Sequence, residues 1–384
     1  MKYQDMKMSR IFLTTLSLWL LLLAIPSEAK EGPVTMPLNF HSLFPFLGRV
    51  NEQNTGQDVE ENTPQEQTPQ QSFNTPHKLK VGFYARSCPN AEKIVADTFA
   101  QIVKTNPGAI GNILRLVFHD CFVKGCDASI LLDYAQNNND AVEKSSMFNG
   151  FLLKGADMID DIKAKLEEEC PGIVSCADII SFVTNEAMSL AGLPPRKRLG
   201  GRRDGMVSLA STVEANNLPL PDWTMDQMIE LFTRKGFSVE EMVIMIGAHS
   251  VGVAHCDGFY ERVNNFRKTG KPDPTLTVEV IEEIKRSCPD FGTNMYRNPP
   301  VNFDPTPTVL DNLFFKEMVE RRKTLLITDS HLLEDPRTFP FVQKMAADPN
   351  MFPSKFPDVM LKLSTLDVLT GYDGEVRKIC RATN

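Results

Sequence analysis

The chain has 384 residues, 42% of them hydrophobic, which suits one large packed domain or two small ones once presequences are removed. Lys and Arg number 41 against 49 Asp and Glu, a formal charge of −8. No basic run stands out, and this argues against nucleic acid as the main partner, because phosphate binding needs clustered cations.

Lys2, Lys7 and Arg10 precede an uncharged, largely apolar run over residues 11–25. Pro26 breaks that run, and Ser27 and Ala29 place small residues at the −3 and −1 positions of a cleavage site. The run is short for a membrane span of ~20 residues, so residues 1–29 read as a signal peptide. Residues 30–77 form an extension. Its stretch 51–71 is rich in Gln, Asn, Glu and Pro and is expected to be a disordered pro-segment or spacer. No later segment is apolar enough to cross a bilayer, and no Asn-x-Ser/Thr acceptor for a glycan is present.

From residue 78 onward the pattern is folded and mostly helical. Residues 90–104 put Ile94, Val95, Phe99, Ile102 and Val103 on one helical face, and 113–118 continue after Pro107. Ile159, Ile162 and Leu166 line a helix over 158–169. Ser175 to Asp178 resembles a capping box for the next helix, with Gly192 as its stop. Thr224 to Gln227 caps a segment ending near Lys235, and Ser238 to Glu241 opens a short helix stopping at Gly247. Asp311 opens another, and Pro336, after Asp335, occupies the first turn of a further one. Extended pieces are expected only at 198–203 and 325–328. The architecture is therefore an all-α domain with long, cysteine-stapled connections.

The eight cysteines, Cys88, Cys121, Cys126, Cys170, Cys176, Cys256, Cys288 and Cys380, are an even set in an exported chain and suggest four disulfides. Spacing alone does not choose the pairing. A zinc site is disfavoured by the wide Cys121-x4-Cys126 spacing and the oxidising compartment.

Of six histidines, His41 and His77 fall in or beside the extension, leaving His119, His249, His255 and His331. Arg115 and His119 stand at i and i+4, so a helix would present both from one face. A cation beside an imidazole can split an O–O bond: the imidazole takes a proton, and the cation stabilises charge on the leaving oxygen. A capped helix end with a surface Arg–Asp pair is the alternative. His249 follows a short apolar helix at a glycine break, as an axial ligand to a flat cofactor would, or a buried structural histidine. Between the two lie Asp120, Asp127 and Ser129, with the carbonyls of Val123 and Gly125, a set of hard oxygens suited to Ca2+ or a merely solvated loop.

Six blocks recur in order: Phe83-Tyr84 to Cys88-Pro89-Asn90; Leu114-Arg115-Leu116 with Phe118-His119-Asp120-Cys121-Phe122-Val123; Gly125 to Leu132; Val174 to Ile179; Gly201-Arg202-Arg203-Asp204-Gly205; and Gly247 to Gly252. Together they resemble the secretory plant (class III) haem peroxidases over residues 78–381. The resemblance implies two helical lobes sandwiching haem, four disulfides and minimal β structure. It implies His119 as the distal acid–base group, Arg115 beside it, Phe118 at the haem edge and Asn149 orienting His119. His249 becomes the iron ligand and Asp329 the carboxylate that accepts its N–H. Pro219 becomes the residue whose carbonyl faces a phenolic donor.

The resemblance also implies the pairs Cys88–Cys170, Cys121–Cys126, Cys176–Cys380 and Cys256–Cys288, one haem b and two Ca2+ per chain. The distal Ca2+ takes Asp120, Val123, Gly125, Asp127 and Ser129, with Glu143 through water. The proximal one takes Ser250, Asp304, Thr306, Val309 and Asp311. Asp304-Pro305-Thr306-Pro307 is one residue shorter than the family's usual spacing, so Asp304 is expected to reach the metal only through a rearranged loop. Val117 and Val251 stand where bulkier residues are common, Lys154 where Arg is usual, and Gly108 and Leu152 lack groups that hold haem propionates. The implied activity is reduction of H2O2 with one-electron oxidation of phenolic donors, in wall phenolic or lignin metabolism or in H2O2 removal. The protein would be a monomer secreted to the apoplast or cell wall, with no membrane or nucleic-acid partner. With Cys380 four residues from the end of the sequence, no long vacuolar-type tail is expected. The alternative is a non-enzymatic wall-binding protein on the same scaffold.

Overall fold

The computed structural model describes residues 79–134, 140–150, 153–289 and 297–384. The signal peptide and extension expected over 1–77, with His41 and His77, and the remark on Leu152 lie outside them.

Short β1 (Lys80–Val81) leads into α1 (Ala91–Thr105), α2 (Ala109–Val123), α3 (Ala156–Glu169) and α4 (Cys176–Leu190). These four pack on one another as a first lobe. β2 (Leu199–Gly200) pairs antiparallel with β1, and α5 (Ala210–Glu214) follows. The second lobe is built on α6 (Met225–Arg234), α7 (Val239–Ile246), α10 (Leu313–Arg321), α11 (Ile327–Glu334), α12 (Phe339–Ala347) and α13 (Met351–Leu363). Between α7 and α10 lie α8 (Tyr260–Asn264), α9 (Val278–Ser287) and an antiparallel pair of β3 (Val253–His255) and β4 (Pro300–Asn302). α13 also packs against α2, joining the lobes.

Local sequence explains many boundaries. Thr224 with Gln227 and Ser238 with Glu241 form complete capping boxes on α6 and α7. At α4 only half of the expected box forms. Ser175 Oγ accepts from the Asp178 amide at 3.1 Å, but the Asp178 carboxylate turns inward to Tyr84 Oη (2.7 Å), the Gly201 amide (2.6 Å) and Arg202 Nη1 (2.8 Å). A buried carboxylate goes where a buried cation waits, because an uncompensated charge costs more than a lost cap.

Two expectations are corrected. Residues 325–328 are not a strand. Leu326 is extended, but Ile327 and Thr328 already begin α11, and the Leu326 carbonyl is taken by Arg262 Nη1 at 2.7 Å, with no sheet partner. Pro336 does not start a helix. The Asp335 carboxylate accepts from the Arg337 amide (2.8 Å) and guanidinium, holding 335–337 as a turn, and α12 begins at Phe339 with Pro340 in its first turn. The β3–β4 pair and α13 carry no clear signal: α13 holds Pro353 and Pro357, which read as helix breakers.

The cysteines pair as Cys88–Cys170, Cys121–Cys126, Cys176–Cys380 and Cys256–Cys288. Cys121–Cys126 closes the loop after α2, and Cys176–Cys380 ties the C-terminal segment to the start of α4.

α7 runs into a tight turn at Gly247–Ser250 above Phe352 of α13 and Phe315 of α10. A Cβ at Gly247 would lie 2.5 Å from the Phe352 ring and 2.8 Å from that of Phe315, both fully buried. Gly247→Ala is therefore expected to destabilise the fold by about 1–3 kcal/mol through overpacking. Urea denaturation would show a lower midpoint at unchanged slope; an unchanged midpoint would mean that the rings yield freely.

Candidate active site

α2 carries Arg115 and His119 one turn apart, on a helix otherwise buried through Ile113, Leu114, Leu116 and Val117. His119 is buried, and its Nδ1 meets Asn149 Oδ1 at 2.7 Å. The Asn149 amide nitrogen donates to the Glu143 carbonyl, so its oxygen is the end that faces His119. His119 Nδ1 is thereby the protonated nitrogen, and Nε2 keeps a free lone pair. Arg115 Nη2 donates to the Asn149 carbonyl at 2.8 Å. Burial, then the Arg115 charge, push the His119 pKa down to about 3, with the Asn149 hydrogen bond opposing them. The imidazole is neutral at ordinary pH.

Phe118 stacks on Phe122 (4.3 Å between centroids), and both lie against Phe232 of α6. This aromatic wall joins α2 to the second lobe. Val117 and Val251 are buried. A Cβ on Gly111 of α2 would touch Gly252 Cα at 3.5 Å, so the helix bearing His119 runs close to the turn bearing His249.

His249 Nδ1 donates to Asp329 Oδ1 at 3.1 Å, and Asp329 is fully buried. Asp329 Oδ2 also accepts from the Leu326 amide at 3.4 Å, at the start of α11. The His249 ring lies parallel to Phe303 (4.5 Å, 10°) and edge-on to Phe314. Its Nε2 remains available on a side chain about one third exposed. The two imidazoles thus differ. One is neutral, buried and beside a cation, and the other is bound to a carboxylate. That donor chemistry suits a haem with one histidine on iron and one kept off it.

The loop after α2 gathers Asp120, Asp127, Ser129 and Glu143. Asp127 Oδ1 accepts from the Ser129 amide (2.9 Å) and Asp120 Oδ2 from the Ala128 amide (3.1 Å). Asp120 Oδ1, Ser129 Oγ and both Glu143 carboxylate oxygens are buried without a hydrogen-bond partner. Burial, then Asp127, push the Glu143 pKa up to about 8; burial, Asp127 and Glu143 together raise that of Asp120. Such oxygens fit a divalent cation, which would satisfy them and remove their repulsion. Among the described residues no group of three or more His, Cys, Asp and Glu side chains has metal-holding geometry, so carbonyl and hydroxyl donors would complete the shell.

Asp304 is buried in a second cluster despite the short spacing. Its Oδ1 accepts from the Thr306 amide (2.8 Å), Thr306 Oγ1 donates to Asp311 Oδ2 (2.9 Å), and Ser250 Oγ donates to the Val309 carbonyl (3.0 Å). Asp304 Oδ2 is buried and unpartnered, and burial foremost pushes its pKa up to about 6. The Thr306 amide's bond to Asp304 Oδ1 closes a tight turn that holds this carboxylate in the cluster. Pro219 is half-buried in the segment after α5, Lys154 is exposed, and Gly108 stands at the N-terminal end of α2. Sequence reading missed Phe303, the Asn149–Glu143 link and Arg262. Phe303 and Arg262 depend on contacts distant in sequence, and the Asn149–Glu143 link, six residues apart, goes to a backbone carbonyl and leaves no side-chain pattern.

A family model described as Peroxidase matches residues 95–348. The chain is 38% identical to Peroxidase 5 of Vitis vinifera over 80% of its own length and 92% of that protein's. It is 40% identical to Peroxidase 28 of Arabidopsis thaliana (80% and 94%) and 39% identical to Peroxidase 57 of the same plant (80% and 93%). These relatives, named as peroxidases, do not favour the non-enzymatic reading. The family implies haem, which agrees with two differently poised histidines on a mostly helical, four-disulfide fold, and the chain belongs to the peroxidase family as an enzyme of the plant class III type.

Proposed function

We propose that this peroxidase reduces H2O2 and oxidises small phenolic donors by one-electron steps, after secretion to the apoplast or cell wall, in phenolic or lignin metabolism or in H2O2 removal. The observation that carries the reading is the His119–Asn149–Glu143 chain, which fixes a neutral imidazole with Nε2 free beside Arg115. Residues 1–29 act as a signal peptide, 30–77 as a spacer or pro-segment, and 78–384 as one catalytic domain, working as a monomer. Among the described residues no helix is long and apolar enough to cross a membrane.

His249 Nε2 would hold one haem b, which supplies the electrons for O–O cleavage and regains them from the donor. His119 Nε2 takes a proton from peroxide and returns it to the leaving oxygen, which departs as water. Arg115 stabilises negative charge on that oxygen, and burial strengthens the effect. Asn149 holds the His119 ring in register. Asp329 makes His249 a stronger electron donor by accepting a hydrogen bond from its Nδ1–H. Donors approach near Pro219 and the Phe118 edge. Calcium would bind at the distal set (Asp120, Val123, Gly125, Asp127, Ser129, Glu143) and at the proximal set (Ser250, Asp304, Thr306, Val309, Asp311).

The haem-loaded protein is expected to show a Soret band that changes with one equivalent of H2O2 and recovers when a phenol is added. His119→Leu should retain the band and slow the peroxide reaction by about 10²–10⁴-fold or more. A variant as fast as the wild type would sink the assignment.

With a pKa near 3, His119 stays an acceptor until strongly acidic pH. The rate of peroxide reaction should hold as pH falls and drop only through about 3, and Asn149→Asp, which adds an anion, should move that limb upward. In the unfolded chain the same imidazole binds a proton near pH ~6.5. Stability therefore declines as pH falls from there toward about 3, because only the unfolded state gains the proton.

Chelation of calcium is expected to lower the melting temperature by on the order of 10 °C, as loss of a ligand held at a thousandfold its Kd removes about 4 kcal/mol. Readdition of Ca2+ but not Na+ should restore it; a chelator-insensitive melt would argue against both metal sites.

A further inference from the structure

Arg262, on α8, is 3% exposed and is used by nothing in the mechanism above. Each guanidinium nitrogen has a partner. Nε donates to Asp273 Oδ2 (2.9 Å), and Nη1 donates to the Thr324 carbonyl (2.7 Å) and the Leu326 carbonyl (2.7 Å). Nη2 donates to Ser330 Oγ (2.6 Å) and lies 2.8 Å from Asp273 Oδ2. Ser330 and Thr324 also share a 2.6 Å hydroxyl contact. Asp273 is itself fixed, accepting from the Thr275 amide (2.9 Å) and donating its own amide to the Arg262 carbonyl (2.6 Å).

These partners bracket one residue. Leu326 and Ser330 flank Asp329, the carboxylate bonded to His249 Nδ1. Asp329 also attracts the Arg262 charge through space. The segment leading into α11 has no sheet partner; it is held by this planar fork and by the Thr328 amide, which donates to the Pro221 carbonyl at 3.1 Å. A shift of the segment by a fraction of an ångström would lengthen the Asp329–His249 bond directly, since the carboxylate has a single short bond to the imidazole and a longer one to the Leu326 amide. Lys could neutralise Asp273, but its single nitrogen could not reach Thr324, Leu326 and Ser330 together.

We propose that Arg262 is a positioning residue for the proximal pair: by pinning segment 324–330 it sets the Asp329–His249 hydrogen bond, and with it how strongly His249 donates to the iron. This rests on the reading of His249 as iron ligand and Asp329 as its partner.

The test uses the full-length, haem-loaded protein and reads the iron–histidine stretching band of the ferrous form by resonance Raman, together with the FeIII/FeII potential. Asp329→Asn serves as reference: its band should fall in wavenumber and its potential rise relative to wild type. Arg262→Lys should move both readouts in the same direction, by less, although the charge is kept. Ser330→Ala, which removes one partner and spares the buried cation, should fold normally and give a smaller shift of the same sign. Wild-type band position and potential in both Arg262→Lys and Ser330→Ala, or a wild-type signature in Arg262→Lys alone, would overturn the proposal. If Asp329→Asn itself leaves the band unmoved, the proximal reading fails instead.

Discussion

Three buried guanidinium groups hold together backbone that no helix or sheet can satisfy. Long connections in a helical protein leave carbonyls without ladder partners, and buried carbonyls need donors. Arg202 serves the Ser364 carbonyl at the end of α13 through Nε (2.8 Å) and Nη2 (2.6 Å) while pairing with Asp178. Arg377 serves the carbonyls of Ala128 (2.7 Å) and Cys380 (2.6 Å) beside Asp204. Arg262 serves Thr324 and Leu326 beside Asp273. Each cation has a carboxylate near its charge and backbone carbonyls for several of its N–H groups, though Arg377 Nε is left without a hydrogen-bond partner.

The consequence is that both halves of the site rest on irregular segments clamped from a distance. The distal loop is held from several sides. The Cys126 amide donates to the Leu366 carbonyl (3.0 Å), and the Gly205 amide to the Asp127 carbonyl (2.7 Å). Gly125 packs so closely on Asp367 that a Cβ would lie 2.4 Å from its carbonyl oxygen. Through the Glu143 carbonyl, Asn149 ties this loop to His119, so the hard-oxygen cluster and the imidazole cannot move independently. On the other side, Asp329 ties His249 to a segment clamped by Arg262.

The helices carrying the site were legible because their signals are local. The spacing of Arg115 and His119 is a one-turn relation within α2, and the boxes at Thr224 and Ser238 involve residues three apart. Where a residue had a choice of partner, sequence alone misled. Asp178 was expected to complete a cap and instead meets Arg202 and Tyr84. Residues 325–328 have strand-like composition but feed a helix: the Leu326 carbonyl goes to Arg262, distant in sequence, and Ile327 and Thr328 already belong to α11. Asp304 was expected to reach a metal only through a rearranged loop; a turn holds its carboxylate beside Thr306, close to Asp311 and Ser250.

By itself the sequence determined an acidic, helical chain of the peroxidase kind, with a cation and an imidazole on one helix face and a second imidazole at a glycine break. These depend on residue type and on neighbours within a turn. Tertiary structure alone decided which nitrogen of His119 carries its proton, that Phe303 lies flat against His249, that Arg202, Arg262 and Arg377 are buried, and which carboxylate oxygens are left without partners. Those outcomes depend on the free energy of burying polar groups. That quantity is fixed only when segments far apart in the chain have excluded water from each other.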